Sequence, residues 1–193
     1  MDTQISNVMM DIETFGLTPG NVVRTVSVAE FAPKTGKVYR KKTWTISLQD
    51  SLNAGFTIEA DTLKWWLLQS ETARKELVSS PEEESSLSEF VSDFIYWFSP
   101  YSGNVNLWAL QVDFDTSMLR CYLAYYYHRI FRKEKVPIPW DRKRLIDVRP
   151  YIISYADSEV AIHTSMGDCL CQIKAVADYY TKMQYGSIDQ ETN

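Results

Sequence analysis

Asp11 and Glu13 stand two residues apart at the end of the first apolar run, Val8-Met9-Met10. A strand alternates its side chains, so both carboxylates leave one face while Met10 and Ile12 leave the other. Two carboxylates side by side repel, and a hard divalent cation, which takes oxygen ligands, removes that penalty. Thr14-Phe15-Gly16-Leu17 then turns the chain, setting an aromatic and an aliphatic side chain beside the acids. The combination describes a metal site with an apolar wedge. Taken alone, Asp-x-Glu also describes a solvated pair on an exposed strand end.

Three further residues extend the pattern. Phe114-Asp115 follows a short apolar run and opens a long helical stretch. Taken alone, the pair is better explained by capping, with Asp113 as N-cap and Asp115 favouring the helix dipole. His163 precedes Asp168 by five residues, with Ser165 between them as a cap for a last helix. That spacing puts Asp168 in the first turn, pointing outward, and His163 on the loop before it, where imidazole and carboxylate can converge on one water.

In this order the residues resemble the DnaQ-like (DEDDh) 3′–5′ exonucleases. The motifs are Asp11-x-Glu13 with Thr14-x-Gly16-Leu17, the Phe114-Asp115 pair, and His163 followed by Asp168. Ala109-Leu110-Gln111 departs from the Asn or His-Asn that often precedes Phe-Asp in that family, and Asp113 stays a second candidate ligand. The stretch Thr62 to Arg74, with Trp65-Trp66 and Gln69-Ser70, is similar to the phage exonuclease A branch, whose relatives are described as 3′–5′ exoribonuclease-like. Asp147-Val148-Arg149 resembles the Asp-x-Arg segment of the same branch, and its simplest role is an ion pair bracing a helix start.

The resemblance implies a ribonuclease-H-like α/β fold, a mixed sheet with helices on both faces. It implies metal ligands Asp11, Glu13, Asp115 and Asp168 for two Mg²⁺ or Mn²⁺ ions roughly 3.5–4 Å apart, with His163 as general base. Thr14, Phe15 and Leu17 would contact the terminal nucleotides of a single-stranded 3′ end, releasing 5′-mononucleotides. Trp65 and Trp66 are further candidates for substrate contact. DNA is the expected substrate, with an RNA-trimming activity at the same site as the alternative and a non-catalytic binding module behind both. A homodimer is compatible with the resemblance.

Composition fits one compact domain over residues 1–186 with a polar tail, 187–193. The chain has 193 residues, 45% hydrophobic and 13% aromatic, enough for a sizeable core. No apolar run is long enough to span a bilayer, no basic-then-apolar leader opens the chain, and the three cysteines lack metal-ligand spacing. Together these predict a reduced, cytoplasmic protein, in the host cytoplasm if phage-encoded. The net charge is −5, yet residues 129–144 hold seven basic residues against Glu134 and Asp141, a local +5 that leaves −10 elsewhere. Such a patch can steer a phosphate chain, and it reads equally as a solvated loop.

The elements that must hold the acids follow from periodicity. Residues 7–12, 22–32 and 37–48 read as strands, the last two joined by a turn at Pro33-Lys34-Thr35-Gly36. Helices are expected from Asp61, with Asp61 as N-cap, and from Glu71 to Val78. The clearest helix is 86–98, where Leu87, Phe90, Val91, Phe94, Ile95 and Phe98 form one stripe. Residues 106–109 and 144–147 read as two more strands, 114–131 and 165–185 as helices. The last helix is expected to bury Met166, Leu170, Ile173, Ala177 and Tyr180.

Overall fold

The computed structural model describes residues 5–78, 81–101, 103–152 and 163–188. Within them, β1 (Ser6–Thr14), β2 (Val23–Phe31) and β3 (Val38–Thr45) form an antiparallel meander, as the alternation predicted. The turn between β2 and β3 closes with Ala32 N–H on Lys37 O at 2.9 Å, and Gly36 takes a φ of 68° that suits glycine. Strand β3 stops at Thr45, short of the expected 48, and short α1 (Leu48–Asn53) follows, capped by the Ser47 side chain on Asp50 N–H. Next come α2 (Ala60–Leu67) and α3 (Glu71–Leu77), the latter capped by Ser70. Glu59, not Asp61, is the N-cap of α2.

Helix α4 (Leu87–Phe98) begins with a capping box between Ser86 and Glu89. It leads through β4 (Val105–Ala109) into α5 (Val112–Tyr125), whose end is wound into a π turn at Tyr126–Ile130. Three-residue β5 (Leu145–Asp147), one-turn α6 (Arg149–Ile152) and long α7 (Ser165–Ile188) complete the order. Helix α7 runs past the expected domain end at 186; the tail from 189 onward lies outside the described residues.

The sheet order is β3-β2-β1-β4-β5, with β4 and β5 parallel to β1. This is the mixed α/β sheet that the element order implied. Val8, Met10 and Ile12 face a large core with α4 and α5, containing Phe90, Phe94, Leu119 and Tyr122. Met9 faces a smaller core, where Ala29, Phe31 and Trp108 meet Cys169, Ile173 and Val176 of α7. Helices therefore cover both faces, and Asp11 and Glu13, sharing the face of Met9, emerge beneath α7.

That helix buries Ile173 and Ala177 as expected, but its buried side extends beyond the expected stripe. Asp168, Cys169, Gln172, Ile173 and Val176 are buried, while Met166, Leu170 and Tyr180 are only partly covered. Polar Asp168 and Gln172 hold two of the inner positions, which hydrophobic periodicity does not mark. Asp168 accordingly points inward, not outward, at 7% exposure. Among the described residues, no helix is long and apolar enough to cross a membrane.

Candidate active site

The acids gather where β1 ends under the start of α7. Asp11, Glu13 and Asp168 each offer a carboxylate oxygen within 4.8 Å of the others. The β1–β2 register sets Asp11 opposite Ser27 and Glu13 opposite Thr25, so small hydroxyl side chains lie beside the acids and leave room for α7. Asp115 is buried in the first turn of α5. It lies outside the 4.8 Å trio but is the first of the charges that raise the pKa of Asp11.

Helix α5 starts earlier than expected. Gln111, in a left-handed conformation at φ 59°, is its N-cap, so Asp113 is not. One-turn spacing then turns Asp115 inward and leaves Asp113 exposed, and Asp115 is the buried candidate ligand. Beside it, Asp147 pairs bidentately with Arg149, which holds the Asp147 carboxyl below the usual carboxylate range. This is the bracing ion pair the sequence suggested.

Crowding buried carboxylates makes their charges costly. Burial, then the charges of Asp115, Glu13 and Asp168, pushes Asp11 well above the ordinary range. Burial, then Asp168, Glu76 and Asp115, pushes Glu13 up to about 9. Burial, with Asp147 adding its charge, also raises Asp115. Such a cluster holds protons at neutral pH unless cations replace them.

Two buried oxygens, Glu13 Oε1 and Gln172 Oε1, have no hydrogen-bond donor among the described residues. Donor-less oxygens among crowded acids are what a hard, oxygen-seeking cation requires. The residues present therefore fit divalent metal ions. Gln172 also donates from Nε2 to Asp11 Oδ1 at 2.9 Å, fixing that carboxylate. The sequence carried a faint signal for Gln172, one helical turn beyond Asp168.

The apolar turn behaves differently from a two-residue wedge. Phe15 packs into the large core at 6% exposure, because the loop folds back through Phe15 N–H on Val22 O at 2.8 Å. Only Leu17, 68% exposed, projects. Thr14 spends its hydroxyl on Gly16 O at 2.7 Å, shaping the turn. Gly16 is required there: a Cβ would lie 2.3 Å from the Asn21 side chain.

His163 stands on the loop before α7, partly exposed, in a left-handed conformation at φ 53°. Trp65 meets its ring edge-on at 4.8 Å between centroids, with Trp66 behind at 6.2 Å. Trp66 is buried and Trp65 is 42% exposed, the division that adjacent helical positions implied. Ser165 does not serve as the expected cap. Its N–H and hydroxyl both donate to Glu76 Oε1 of α3, at 2.7 and 2.6 Å. No local sequence signal marks Glu76, which is 89 residues away in the chain.

The basic segment starts at the far end of α5. At ~1.5 Å per residue, Arg129 lies about 20 Å along that helix from Asp115.

Comparison with known proteins gives the following. The model of the 3′–5′ exoribonuclease Rv2179c-like domain matches residues 6–180. No curated protein matches the chain. The zinc-bound E. coli ExoI–ssDNA complex superposes with a TM-score of 0.65 at 12% identity, over 93% of this chain and 41% of that one. The metal-free form of that complex gives 0.59 at 12%, over 94% and 42%. Exonuclease I from Methylocaldum szegediense gives 0.53 at 14%, over 89% and 40%. The chain thus spans about two fifths of the length of these structures, and the likeness shows a shared fold.

Proposed function

We propose, from the premise that the chain belongs to the 3′–5′ exoribonuclease Rv2179c-like domain family, that it hydrolyses single-stranded nucleic acid stepwise from the 3′ end. Each step releases a 5′-mononucleotide. One observation carries the reading: Asp11, Glu13 and Asp168 converge within 4.8 Å, with Glu13 pushed up to about 9. Acids packed this closely are costly to a fold and mark a functional site.

Asp11, Glu13, Asp115 and Asp168 would hold two divalent ions, Mg²⁺ or Mn²⁺. When bound, these supply charge neutralisation at the phosphate and acidify the attacking water. The protein's own groups do the rest. His163 accepts the proton of the attacking water, and its place on a partly exposed loop gives that proton a way to solvent. Gln172 keeps Asp11 in one orientation through its 2.9 Å bond. Leu17 offers the exposed apolar contact against which a terminal base can rest, with the Thr14 turn behind it. The +5 segment at residues 129–144 attracts the strand at a distance from the acids.

The sugar has two readings. DNA was expected from sequence, and the ExoI relatives are described as complexes with single-stranded DNA. RNA is favoured by the description of the family that matches the chain itself, and it is the better-supported substrate. The test is digestion of matched 5′-labelled RNA and DNA oligomers with Mg²⁺, Mn²⁺ or EDTA. A descending ladder with either metal, absent in EDTA, is expected, with RNA the faster. Comparable cleavage of a circular strand, or no cleavage with any divalent ion, would overturn the proposal.

A further inference from the structure

Trp65 is exposed enough to meet solvent or a base, yet its ring is already engaged. The imidazole of His163 stands nearly perpendicular to it, at 85° with centroids 4.8 Å apart. Trp65 in turn leans on Trp66 at 4.8 Å and 74°. Trp66 is fixed from behind, because its indole N–H donates to the Thr14 carbonyl at 2.8 Å. The bracket around His163 is therefore rooted in the end of the strand that carries Asp11 and Glu13.

The backbone of the loop is gripped by the next helix. Glu76 Oε1 accepts from Ser165 N–H, from Ser165 Oγ at 2.6 Å and from Thr25 Oγ1 at 3.0 Å. Ser27 lies within hydrogen-bond distance of the Ser165 hydroxyl, at 2.8 Å, and ties the same point to β2. His163 itself holds a φ of 53°, which a residue with a side chain keeps only when its surroundings impose it. Contacts from α2 and α3 on either side supply that constraint.

We propose that Trp65 is a positioning residue for the His163 imidazole, with Trp66 and Glu76 as its anchors. The α2–α3 segment then fixes the imidazole on the loop that leads into Asp168, and the adjacent tryptophans serve the protein's own histidine before any nucleobase. This rests on the reading of His163 as general base.

The chain has two histidines, so imidazole proton resonances in the metal-free protein are assignable with His128→Gln. Trp65→Leu should shift the His163 resonances and leave those of His128 in place, while Trp65→Phe, which keeps a ring, should shift them less. With Mn²⁺ and an oligomer, Trp65→Leu should lower kcat by about tenfold or more with KM nearly unchanged, since misplacing a catalytic group acts on turnover. In a His163→Ala background the same substitution should cost almost nothing further.

An unshifted His163 resonance in Trp65→Leu would overturn the contact. A change confined to KM, or a full additional loss in the His163→Ala background, would overturn the positioning role and return Trp65 to substrate binding. Undiminished turnover of His163→Ala alone would instead remove the base reading, and the resonance shift would still report whether the bracket exists.

Discussion

Glu13→Gln is expected to stabilise the metal-free protein, increasingly so as the pH rises. Burial and the neighbouring acids lift Glu13 from 4.5 to about 9 in the folded chain. Because the folded state holds that proton more tightly, the associated stability is present below pH 4.5 and is lost progressively as the pH climbs toward 9. At ~1.4 kcal/mol per pH unit, the loss is under about 1 kcal/mol near pH 5 and at most about 5 kcal/mol near pH 8. Glutamine cannot ionise and escapes it. For a chain of this size each kcal/mol moves Tm by ~2–4 °C. Thermal melts of both proteins in EDTA, near pH 5 and near pH 8, should show a small gap that widens to several degrees or more. Mn²⁺ should close it by stabilising the wild type more than the variant. A gap of equal size at the two pH values would refute the electrostatic account of the cluster.

Other outcomes follow from the same geometry. Asp11→Asn should fold and lose cleavage by several orders of magnitude in single-turnover assays, because it removes a ligand charge without changing volume. His163→Ala should lower turnover by ~10²–10⁴ with little effect on Mn²⁺ affinity by calorimetry; a loss of affinity as large as that of Asp168→Ala would move His163 into the metal shell. Mn²⁺ titrated near pH 7.5 into buffers of different ionisation enthalpy should reveal net proton release, since Asp11, Glu13 and Asp115 are all raised. Gly16→Ala should destabilise by ~1–3 kcal/mol in denaturant melts, because the Asn21 side chain, bonded to Thr18 and Thr57, stands in the way.

Much of this was legible in the sequence wherever one element carried the information. Strand alternation put Asp11 and Glu13 on one face, and they share it. The stripe from Leu87 to Phe98 made α4 plain. What escaped detection depended on contacts between distant segments. Gln172 meets Asp11 across 161 positions, and Glu76 meets Ser165 across 89. On α7 the buried Ile173 and Ala177 were anticipated, but Asp168 and Gln172 were not, because they occupy places that periodicity reserves for apolar groups. Phe15 looked like a free wedge because the fold-back of its loop onto Val22 has no local signature. The adjacent tryptophans were noticed and their division predicted, but their contact with His163, far along the chain, was not.

The turn between β2 and β3 lies far from the acids, yet it is not free to vary. A Cβ on Gly36 would stand 3.2 Å from the Ala177 Cβ of α7. Asparagine tolerates the left-handed backbone there better than most residues, but it would still press on the helix. Ala177 and Asp168 ride the same rigid rod, about 14 Å apart at ~1.5 Å per residue. The turn is packed directly on the helix that carries Asp168. What the hairpin can accept at this position is thus set by the packing of the helix that also bears a site acid.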